Sequence, residues 1–330
     1  MIGTRTPYRF SFVGGGSDLP AFCDEEPGVV ISAAVAKYLY IFLHPYFDPT
    51  KHLIKYSRTE LVDSIDEIEH PLVRHALKRV DLPGLDINAI ADIPAGTGLG
   101  SSSSFTVGLL HALYGQAGKF VSKEQLAAEA SHIEIVELRE PIGRQDQYAA
   151  AYGGFNKFTF LPHGMVKVEP IPLSREAITR FHAHIMVFYT GQSRDARTVL
   201  QNQVKYLTSM AEKRTYLRAM RDMTDPFLAA LIASDMQACG EILHEGWQKK
   251  KELSDGISNE MIDLHYEAAR ATGAIGGKLL GAGGGGFLLF IVNPEKRDEL
   301  RQRLLPMKEL EFSFDFFGSS IIFVEGGNVG

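Results

Sequence analysis

The amino-acid sequence predicts an α+β protein with two domains. With 330 residues, the chain is longer than a single hydrophobic core usually serves, which favours two domains over the alternative of a single large α/β domain. Segments with helix-like spacing and segments with strand-like composition both occur along it, and no repeat of fixed period is visible. Because no Pro/Ser-rich linker marks a boundary, we place it by the count of elements, which gives domains 1–180 and 181–330.

Composition and charge exclude several classes of partner. Hydrophobic residues make up 45% of the chain and charged residues 22%, which is enough apolar material for sizeable cores. The net charge of −6 is spread without a basic block, so neither nucleic acid nor a membrane surface is expected to bind. No apolar run approaches the ~18 residues that span a bilayer, and we expect a cytoplasmic protein. Cys23 and Cys239 are far apart in sequence, which favours two buried thiols over a disulfide or a zinc site.

Strands are predicted in two segments of the first hundred residues. Residues 29–47 are rich in β-branched and aromatic side chains and predict one or two strands that end near Pro45. Residues 85–96 alternate apolar and polar side chains until Pro94 breaks the pattern.

A helix is predicted from Ser101. Its apolar residues have the spacing of one helix face; they are Phe105, Leu109, Ala112 and Leu113. Gly115 and Gly118 end the pattern. The stretch PAGTGLGSSSSF (residues 94–105) is therefore a loop between a strand and a helix.

A second helix begins at Ser122, where Gln125 completes a capping box, and its apolar side continues to Pro141. The remaining predicted elements are strands over 152–161 and 183–191, a long helix over 193–223, a helix over 257–272 and a strand over 287–292.

The loop over residues 94–105 has the chemistry of a phosphate-binding loop. Backbone N–H groups at a helix N-terminus are unpaired and carry the positive end of the helix dipole. Gly96, Gly98 and Gly100 allow the backbone to approach an anion, and the serines add hydroxyl groups. A capped Gly/Ser turn without a ligand is the alternative.

Better-known phosphate loops do not match this stretch. The Walker pattern needs Gly-Lys followed by Ser or Thr, and the chain contains only GKF and GKL. The dinucleotide fingerprint needs G-x-G-x-x-G, whereas this loop reads G-x-G-x-G. The protein-kinase sequence H-R-D is also absent.

Three motifs together resemble the signatures of the GHMP superfamily, which comprises galactokinase, homoserine kinase, mevalonate kinase and phosphomevalonate kinase. The loop is similar to the second signature, P-x-x-x-G-L-G-S-S, which wraps the ATP phosphates in that family. TPYRFSFVGGGSDL, from residue 6, resembles the first signature, and KLLGAGGGGF, from residue 278, resembles the third. They occur in the family's order, so the resemblance extends over most of the chain.

Within the superfamily, the chain most resembles the bacterial D-glycero-D-manno-heptose 7-phosphate kinases, with the fucokinase domain next. GGGSD, GRQDQYAAAYGG and YTGQSRDA carry this likeness. The resemblance implies an N-terminal domain like domain 2 of ribosomal protein S5, a ferredoxin-like C-terminal domain and ATP bound between them. It also implies a Mg²⁺-dependent kinase that phosphorylates the anomeric hydroxyl of a small-molecule sugar phosphate, giving heptose 1,7-bisphosphate.

The same resemblance implies the catalytic and metal-binding residues. Asp146 matches the family's catalytic aspartate, and Arg9 matches the basic residue that keeps it ionised and neutralises the moving phosphoryl group. Ser102 and Glu134 match the Mg²⁺ ligands, a hydroxyl and a carboxylate. Glu137, one helical turn later, is the rival ligand.

The residues expected to bind the ATP phosphates belong to two glycine-rich motifs. They are Pro94, Gly96, Gly98, Leu99, Gly100, Ser101, Ser102, Ser103, Gly283, Gly284 and Gly285. The third motif is expected to lie against the phosphate loop and to close the site from the C-terminal domain.

The acceptor site is expected around the first motif. Galactokinases carry Glu-His before Thr-Asp there, whereas this chain has two glycines, which argues against galactose and leaves room for a bulkier sugar. A phosphorylated acceptor also needs cationic partners. The expected substrate-binding residues are Gly15, Gly16, Ser17, Asp18, Arg144 and Arg194. Further cationic candidates are Arg197, Arg139 and Lys37.

Three other functions stay open at this point. A fucose-type sugar 1-kinase would need less positive charge at the acceptor site. A nucleotide or sugar sensor would keep the loops without the chemistry, although the presence of Asp146, Ser102 and Glu134 argues against it. A dinucleotide oxidoreductase is weakened by the spacing of the loop. A homodimer is also compatible with the sequence.

Overall fold

The computed structural model describes residues 1–191 and 196–325, whose strands form two sheets. The strands are β1 (Ile2–Val13), β2 (Gly28–Pro45), β3 (His52–Lys55), β4 (Thr59–Val62), β5 (Leu85–Ala91), β6 (Phe155–Phe160), β7 (Val166–Pro170), β8 (Ile185–Tyr189), β9 (Ala274–Leu279), β10 (Phe287–Val292), β11 (Lys308–Glu309) and β12 (Ser320–Val324).

Helices pack against both sheets. They are α1 (Pro20–Cys23), α2 (Pro71–Arg79), α3 (Ser101–Gln116), α4 (Lys123–Ser131), α5 (Gln145–Tyr152), α6 (Arg175–His184), α7 (Ala196–Ser209), α8 (Ala211–Asp222), α9 (Thr224–Ile232), α10 (Met236–Lys251), α11 (Glu260–Ala271) and α12 (Arg297–Arg303). Short 3₁₀ turns lie at Ile65–Glu67, Pro162–Gly164 and Pro294–Lys296, and a π-helical segment at His132–Glu137 follows α4.

The larger sheet has eight strands in the order β12-β1-β2-β5-β3-β4, with β6 and then β7 attached to β2. Residues 29–47 were predicted to contain one or two strands, and the structure has one there, β2. Its 18 residues are long enough to pair with three other strands. It pairs with β1 on one edge, and with β6 and then β5 on the other. This long central strand lies between β1, which carries the start of the first motif, and β5, which leads to the phosphate loop.

The smaller sheet has four antiparallel strands in the order β11-β8-β10-β9. Every residue of β9 and β10 is buried, because α10 and α11 pack against this sheet. The third motif is the loop that joins β9 to β10. The two sheets with their helices form the α+β arrangement that the sequence predicts.

The end of the chain returns to the larger sheet. β12 pairs with β1, with Val324 opposite Ile2, and Phe314 forms a bridge to Val35 of β2. The division into 1–180 and 181–330 stays a prediction, and this last segment packs with the N-terminal sheet. Composition could not indicate this, since strand pairing between distant segments depends on the folded topology.

Two predicted helices are interrupted. The helix expected from Ser122 to Pro141 changes to π-helical geometry after Ser131. The long helix expected over 193–223 is two helices, α7 and α8, separated at Met210, whose φ of −132° and ψ of 108° are extended. By contrast, α3 spans Ser101–Gln116 and buries its predicted apolar face.

Within the described ranges, 1–191 and 196–325, no helix is both long and apolar enough to cross a membrane.

Candidate active site

A cavity of about 550 Å³ lies where the three sequence motifs meet. Its walls come from β1 and the turn after it, the phosphate loop and the start of α3, the segment before α5, α7, the end of α10, and the third motif. They are Arg9, Ser11, Gly15, Gly16, Asp18, Leu19, Gly96, Gly98, Gly100, Ser101, Ser102, Ser103, Glu134, Glu140, Pro141, Ile142, Gly143, Gln145, Asp146, Arg197, Leu200, Gln203, Lys250, Leu253, Lys278, Gly281 and Ala282.

The phosphate loop needs glycine at alternate positions. Gly96, Gly98 and Gly100 have φ angles of 76°, 82° and 82°, in the left-handed region that other residues rarely adopt. A Cβ at Gly100 would lie 3.1 Å from Oδ2 of Asp146. No side chain of the described residues caps α3, and the residues of its first turn, Ser101, Ser102 and Ser103, line the cavity. This is a cradle that fits the phosphates of ATP.

Two of the predicted loop residues shape the loop without lining the cavity. The carbonyl of Pro94 accepts a hydrogen bond from Thr97 Oγ1 at 3.0 Å. The Leu99 side chain is buried in the core, and its carbonyl accepts from the backbone N–H of Arg9 at 3.2 Å.

The third motif meets the phosphate loop through different glycines from those predicted. A Cβ at Gly281 would lie 2.4 Å from Cα of Gly98, and a Cβ at Gly286 would lie 2.2 Å from the carbonyl oxygen of Thr97. Gly281 and Ala282 line the cavity, whereas Gly283, Gly284 and Gly285 do not. Gly284 instead donates a backbone hydrogen bond to Ile257.

Arg9 and Asp146 form a bidentate ion pair at the cavity wall. Nε of Arg9 donates to Oδ1 of Asp146, and Nη2 donates to Oδ2, both at 2.8 Å. Nη1 donates to the carbonyl of Gly98 at 2.7 Å. Arg9 is buried on β1 and Asp146 lies in the first turn of α5, so this one arginine fixes the carboxylate relative to the phosphate loop.

Glu134 is fully buried in the π-helical segment, beneath the start of α3. Its Oε2 accepts from Ser102 Oγ at 2.8 Å and from Ser103 Oγ at 3.3 Å, and its Oε1 accepts from Gln147 at 3.1 Å. Burial raises the pKa of Glu134 to about 7, while the hydrogen bonds from Ser102 and Gln147 oppose that shift.

The donor set at Glu134 fits Mg²⁺, because a hydroxyl and a carboxylate at one cavity wall are hard oxygen ligands. The rival, Glu137, points elsewhere: its carboxylate pairs with His75 and Arg79, and it does not line the cavity.

Asp18 anchors the turn that carries the two glycines of the first motif. Its Oδ1 accepts from the N–H of Gly16 and from Nε2 of Gln145, and its Oδ2 accepts from the backbone N–H of Gln145. Burial, reinforced by the charge of Asp146, raises the pKa of Asp18. A Cβ at Gly143 would lie 1.9 Å from Oδ2 of Asp18, so the approach requires glycine there.

Gly15 and Gly16 line the cavity, and their contact with the acceptor stays a prediction. Ser17 does not: its buried hydroxyl donates to Gly14 at 2.8 Å and accepts from the N–H of Val29 at 2.9 Å. Ser17 therefore stabilises the turn through hydrogen bonds and does not face the cavity.

Of the arginines that were predicted to bind an acceptor phosphate and that the structure describes, only Arg197 lines the cavity. Arg144 lies outside the cavity lining, where its Nη1 contacts Sγ of Cys23 at 3.3 Å and Oδ1 of Asp24 at 4.0 Å. Arg194 falls outside the described residues. Arg197 lines the cavity and pairs with Glu140. The lining does not include Arg139 or Lys37.

Two cavity lysines were missed by the sequence reasoning. Lys278 is the first residue of the third motif, so the motif itself could have indicated it. Lys250 lies in a run of charged residues, QKKKE, that gives no signal by itself. Tertiary packing of α10 on β9 places both beside Arg9.

Family models match two segments of the chain. The GHMP kinases N terminal domain matches residues 51–154, and the GHMP kinases C terminal domain matches residues 227–306. Together they span more than half of the chain and include the phosphate loop, Asp146 and the third motif.

Similar proteins include kinases of several small molecules. The D-glycero-alpha-D-manno-heptose 7-phosphate kinase of Campylobacter jejuni is 29% identical, with 96% of each chain covered. The bifunctional fucokinase/GDP-fucose pyrophosphorylase of Arabidopsis thaliana is also 29% identical, over 96% of this chain but 32% of that longer protein. The crystal structure of a D-glycero-D-manno-heptose 1-phosphate kinase from Bacteroides thetaiotaomicron superposes with a TM-score of 0.81 at 24% identity, covering 99% of this chain and 100% of the other. The superposition confirms the predicted fold.

Proposed function

Because this chain belongs to the GHMP kinases, phosphotransferases that move a phosphoryl group from ATP to an alcohol, we propose that its acceptor is the anomeric hydroxyl of a sugar. The specific proposal is D-glycero-D-manno-heptose 7-phosphate, converted to the 1,7-bisphosphate. The similarity to the Campylobacter jejuni kinase over 96% of both chains supports this choice.

The observation that carries the proposal is the place of the Arg9–Asp146 pair. It stands between the phosphate loop, which Arg9 contacts at Gly98, and the turn of Gly15 and Gly16. A nucleotide phosphate on one side and an acceptor hydroxyl on the other would meet at this carboxylate. Phosphoryl transfer needs this positioning more than covalent help from the protein.

Each residue then has a defined task. Asp146 accepts the proton of the attacking hydroxyl, and Arg9 holds that carboxylate in place and offsets negative charge on the phosphoryl oxygens. The N–H groups at the start of α3 bind the nucleotide phosphates. Ser102 and Glu134 would hold Mg²⁺, which supplies charge neutralisation at the phosphate oxygens when bound.

The acceptor side supports a bulky sugar. Gly15 and Gly16 present backbone without side chains, and Asp18 is fully engaged by Gly16 and Gln145, so it orients this wall. A cavity of about 550 Å³ lies in the range of small-molecule sites.

A fucokinase-like sugar 1-kinase is the second candidate. The Arabidopsis thaliana protein has the same 29% identity as the heptose phosphate kinase, so identity does not separate the two. The discriminating property is the acceptor's phosphate, since fucose carries none.

An acceptor panel tests the proposal. Purified protein with Mg-ATP is offered heptose 7-phosphate, fucose, galactose and mevalonate, and ADP release is followed. We expect turnover on heptose 7-phosphate and a new anomeric phosphate in the ³¹P NMR spectrum. Turnover on fucose alone would replace the heptose assignment, and no turnover on any sugar would favour a sensor.

A further inference from the structure

Two buried lysines on the cavity wall have no part in the function proposed above. Lys250 lies in the last turn of α10 and Lys278 lies on β9, and α10 packs directly against β9. Both line the cavity, although only 8% and 7% of their surfaces are exposed. A buried ammonium group destabilises a protein unless hydrogen bonds and an opposite charge replace its lost hydration.

The protein replaces little of that hydration. Nζ of Lys250 donates to the carbonyl of Gly281, and Nζ of Lys278 donates to the carbonyl of Phe12 at 2.8 Å. Among residues 1–191 and 196–325, no carboxylate oxygen lies within 4.0 Å of either nitrogen. Since an ammonium group has three N–H donors, most of the donors on both lysines stay available to a ligand.

A negative charge that compensates the two lysines cannot come from the side facing away from the main cavity. A second, much smaller cavity of about 10 Å³ lies there, with room for about one water molecule. Apart from the lysines themselves its walls are apolar side chains and glycines; they are Phe12, Val13, Gly14, Met220, Met223, Leu243 and Gly246. An anion can therefore reach the ammonium groups only from the main cavity.

Burial and neighbouring positive charge both disfavour the charged forms of these lysines. Burial, together with the charge of Arg9, lowers the pKa of Lys250 to about 8. Burial, together with the charges of Lys250 and Arg9, lowers the pKa of Lys278 well below its usual range. Asp146 is already paired with Arg9, so an anionic ligand in the cavity would supply the negative charge that favours the ammonium forms.

We propose that Lys250 and Lys278 bind a phosphate group in the cavity, where the phosphoryl group passes from nucleotide to acceptor. Lys250 contacts Gly281, which packs on Gly98 of the phosphate loop. Lys278 contacts Phe12, whose neighbour Ser11 lines the cavity near Gly15. The two ammonium groups thus connect the nucleotide side with the acceptor side. This inference deepens the proposed function and rests on it for the identity of the acceptor.

The phosphate has two sources, which share the chemistry that the lysines recognise: the terminal phosphate of ATP, or a phosphate ester on the sugar. Lys250→Met and Lys278→Met keep the length of the aliphatic stem and remove the charge. Lys249→Met is the matched control, because Lys249 adjoins Lys250 on α10 but pairs with Glu245 at 3.3 Å and does not line the cavity.

The first arm measures the affinity for Mg-ATP and Mg-ADP by calorimetry. If the lysines bind the terminal phosphate, the methionine variants lose about tenfold or more in ATP affinity and keep their ADP affinity. The second arm measures KM for heptose 7-phosphate and for the unphosphorylated heptose. If the lysines bind the sugar's phosphate, only the first KM rises, by a similar factor. Either pattern supports the proposal, and Lys250→Arg should restore part of the loss.

The proposal is wrong if both methionine variants fold and match Lys249→Met within about twofold in ATP affinity, kcat and acceptor KM. Unfolding of one variant does not prevent the test, since the other removes the second cation independently. We expect the variants to fold, because they remove a buried charge. If the wild-type protein turns over no sugar, the proposed function fails, and the ATP and ADP comparison still tests the lysines.

Discussion

At the scale of single residues, three of the four acidic side chains that line the cavity lie in three different environments. Asp146 is paired with Arg9, Glu134 accepts hydrogen bonds from serine hydroxyls and an amide, and Asp18 is held by Gln145 and Gly16. The ion pair with Arg9 holds Asp146 in position, whereas burial raises the pKa of Glu134 and disfavours its ionised form. The environment of each carboxylate therefore separates their tasks.

Replacing Asp146 by asparagine tests its role as the proton acceptor. The amide keeps the size of the side chain but cannot take a proton, so we expect kcat to fall by roughly 10²–10⁴. Affinity for ATP, measured by calorimetry, should stay within a few-fold because the phosphate loop is unchanged. Asp24→Asn, at an exposed position, is the control. A loss of ATP affinity as large as the loss of kcat would contradict the assigned role.

Glu134 makes the metal-free protein sensitive to pH. Its pKa is raised by burial from 4.5 to about 7, so the folded state holds the proton more tightly than the unfolded state. This stabilising contribution is complete below pH 4.5 and is lost as the pH rises through about 7. Glu134→Gln stays neutral and does not suffer that loss.

We therefore expect Glu134→Gln to be more stable than the wild type at about pH 8 in a chelator, by about 1–3 kcal/mol, and similar to it near about pH 5. Urea unfolding at the two pH values measures the difference. An equal difference at both pH values would show that the effect is packing and not ionisation. Glu137→Gln is the control. Glu137 lies in the same π-helical segment but outside the cavity, and its carboxylate is paired with His75 and Arg79.

At the scale of elements, two glycine-rich loops from different sheets touch backbone to backbone. Gly281 of the β9–β10 loop has a φ of 74° and lies against Gly98, whose φ is 82°. No side chain fits between them. The contact holds the smaller sheet against the phosphate loop and aligns Lys250 with the cavity.

Gly281→Ala should disrupt this contact. Its Cβ would lie 2.4 Å from Cα of Gly98, so the loops must separate, and we expect ATP affinity to fall by about tenfold or more. Gly118→Ala is the control: its φ of 65° is equally strained, but no atom of the described residues lies within 4 Å of the added Cβ. Calorimetry on both variants separates contact from strain. Equal ATP affinity in the two variants would contradict the role of the contact.

At the scale of the whole molecule, strand β12 pairs with strand β1. Phe314 is buried among aromatic rings, with centroid distances of 4.5 Å to Phe155 of β6 and 5.4 Å to Phe312 of its own segment. Residues 314–324 thus stabilise the sheet that carries Arg9.

Phe314→Ala should destabilise the protein by about 3–5 kcal/mol, the usual range for removing a buried phenylalanine. Urea unfolding measures the loss. Phe316→Ala, at a position that is 50% exposed, should cost less than about 1 kcal/mol. Similar losses in the two variants would mean that the C-terminal segment contributes little to the larger sheet.

Local patterns in the sequence were sufficient for several of the main elements, and the resemblance of three motifs to the GHMP signatures predicted the class of reaction. The apolar spacing after Ser101 predicts α3, and the alternation before Pro94 predicts β5, because each pattern reflects a contact within one element. The three glycine-rich motifs predict the phosphate loop and its partner for a similar reason. Backbone that must adopt a positive φ or approach an anion closely requires glycine, so this requirement is visible in the sequence.

The tertiary structure decided which residues reach the cavity. Glu134 lines the cavity, whereas Glu137 and Arg144 pair with other residues outside it. In the third motif, Gly281 and Ala282 line the cavity in place of the predicted Gly283, Gly284 and Gly285. Lys250 lines the cavity although the sequence did not predict it. The tertiary structure also returned β12 to the N-terminal sheet. The sequence by itself determined the elements and the chemistry that their motifs allow. Only the packing of distant elements decided which side chains share the site, because a long-range contact leaves no periodic trace in either of the segments it joins.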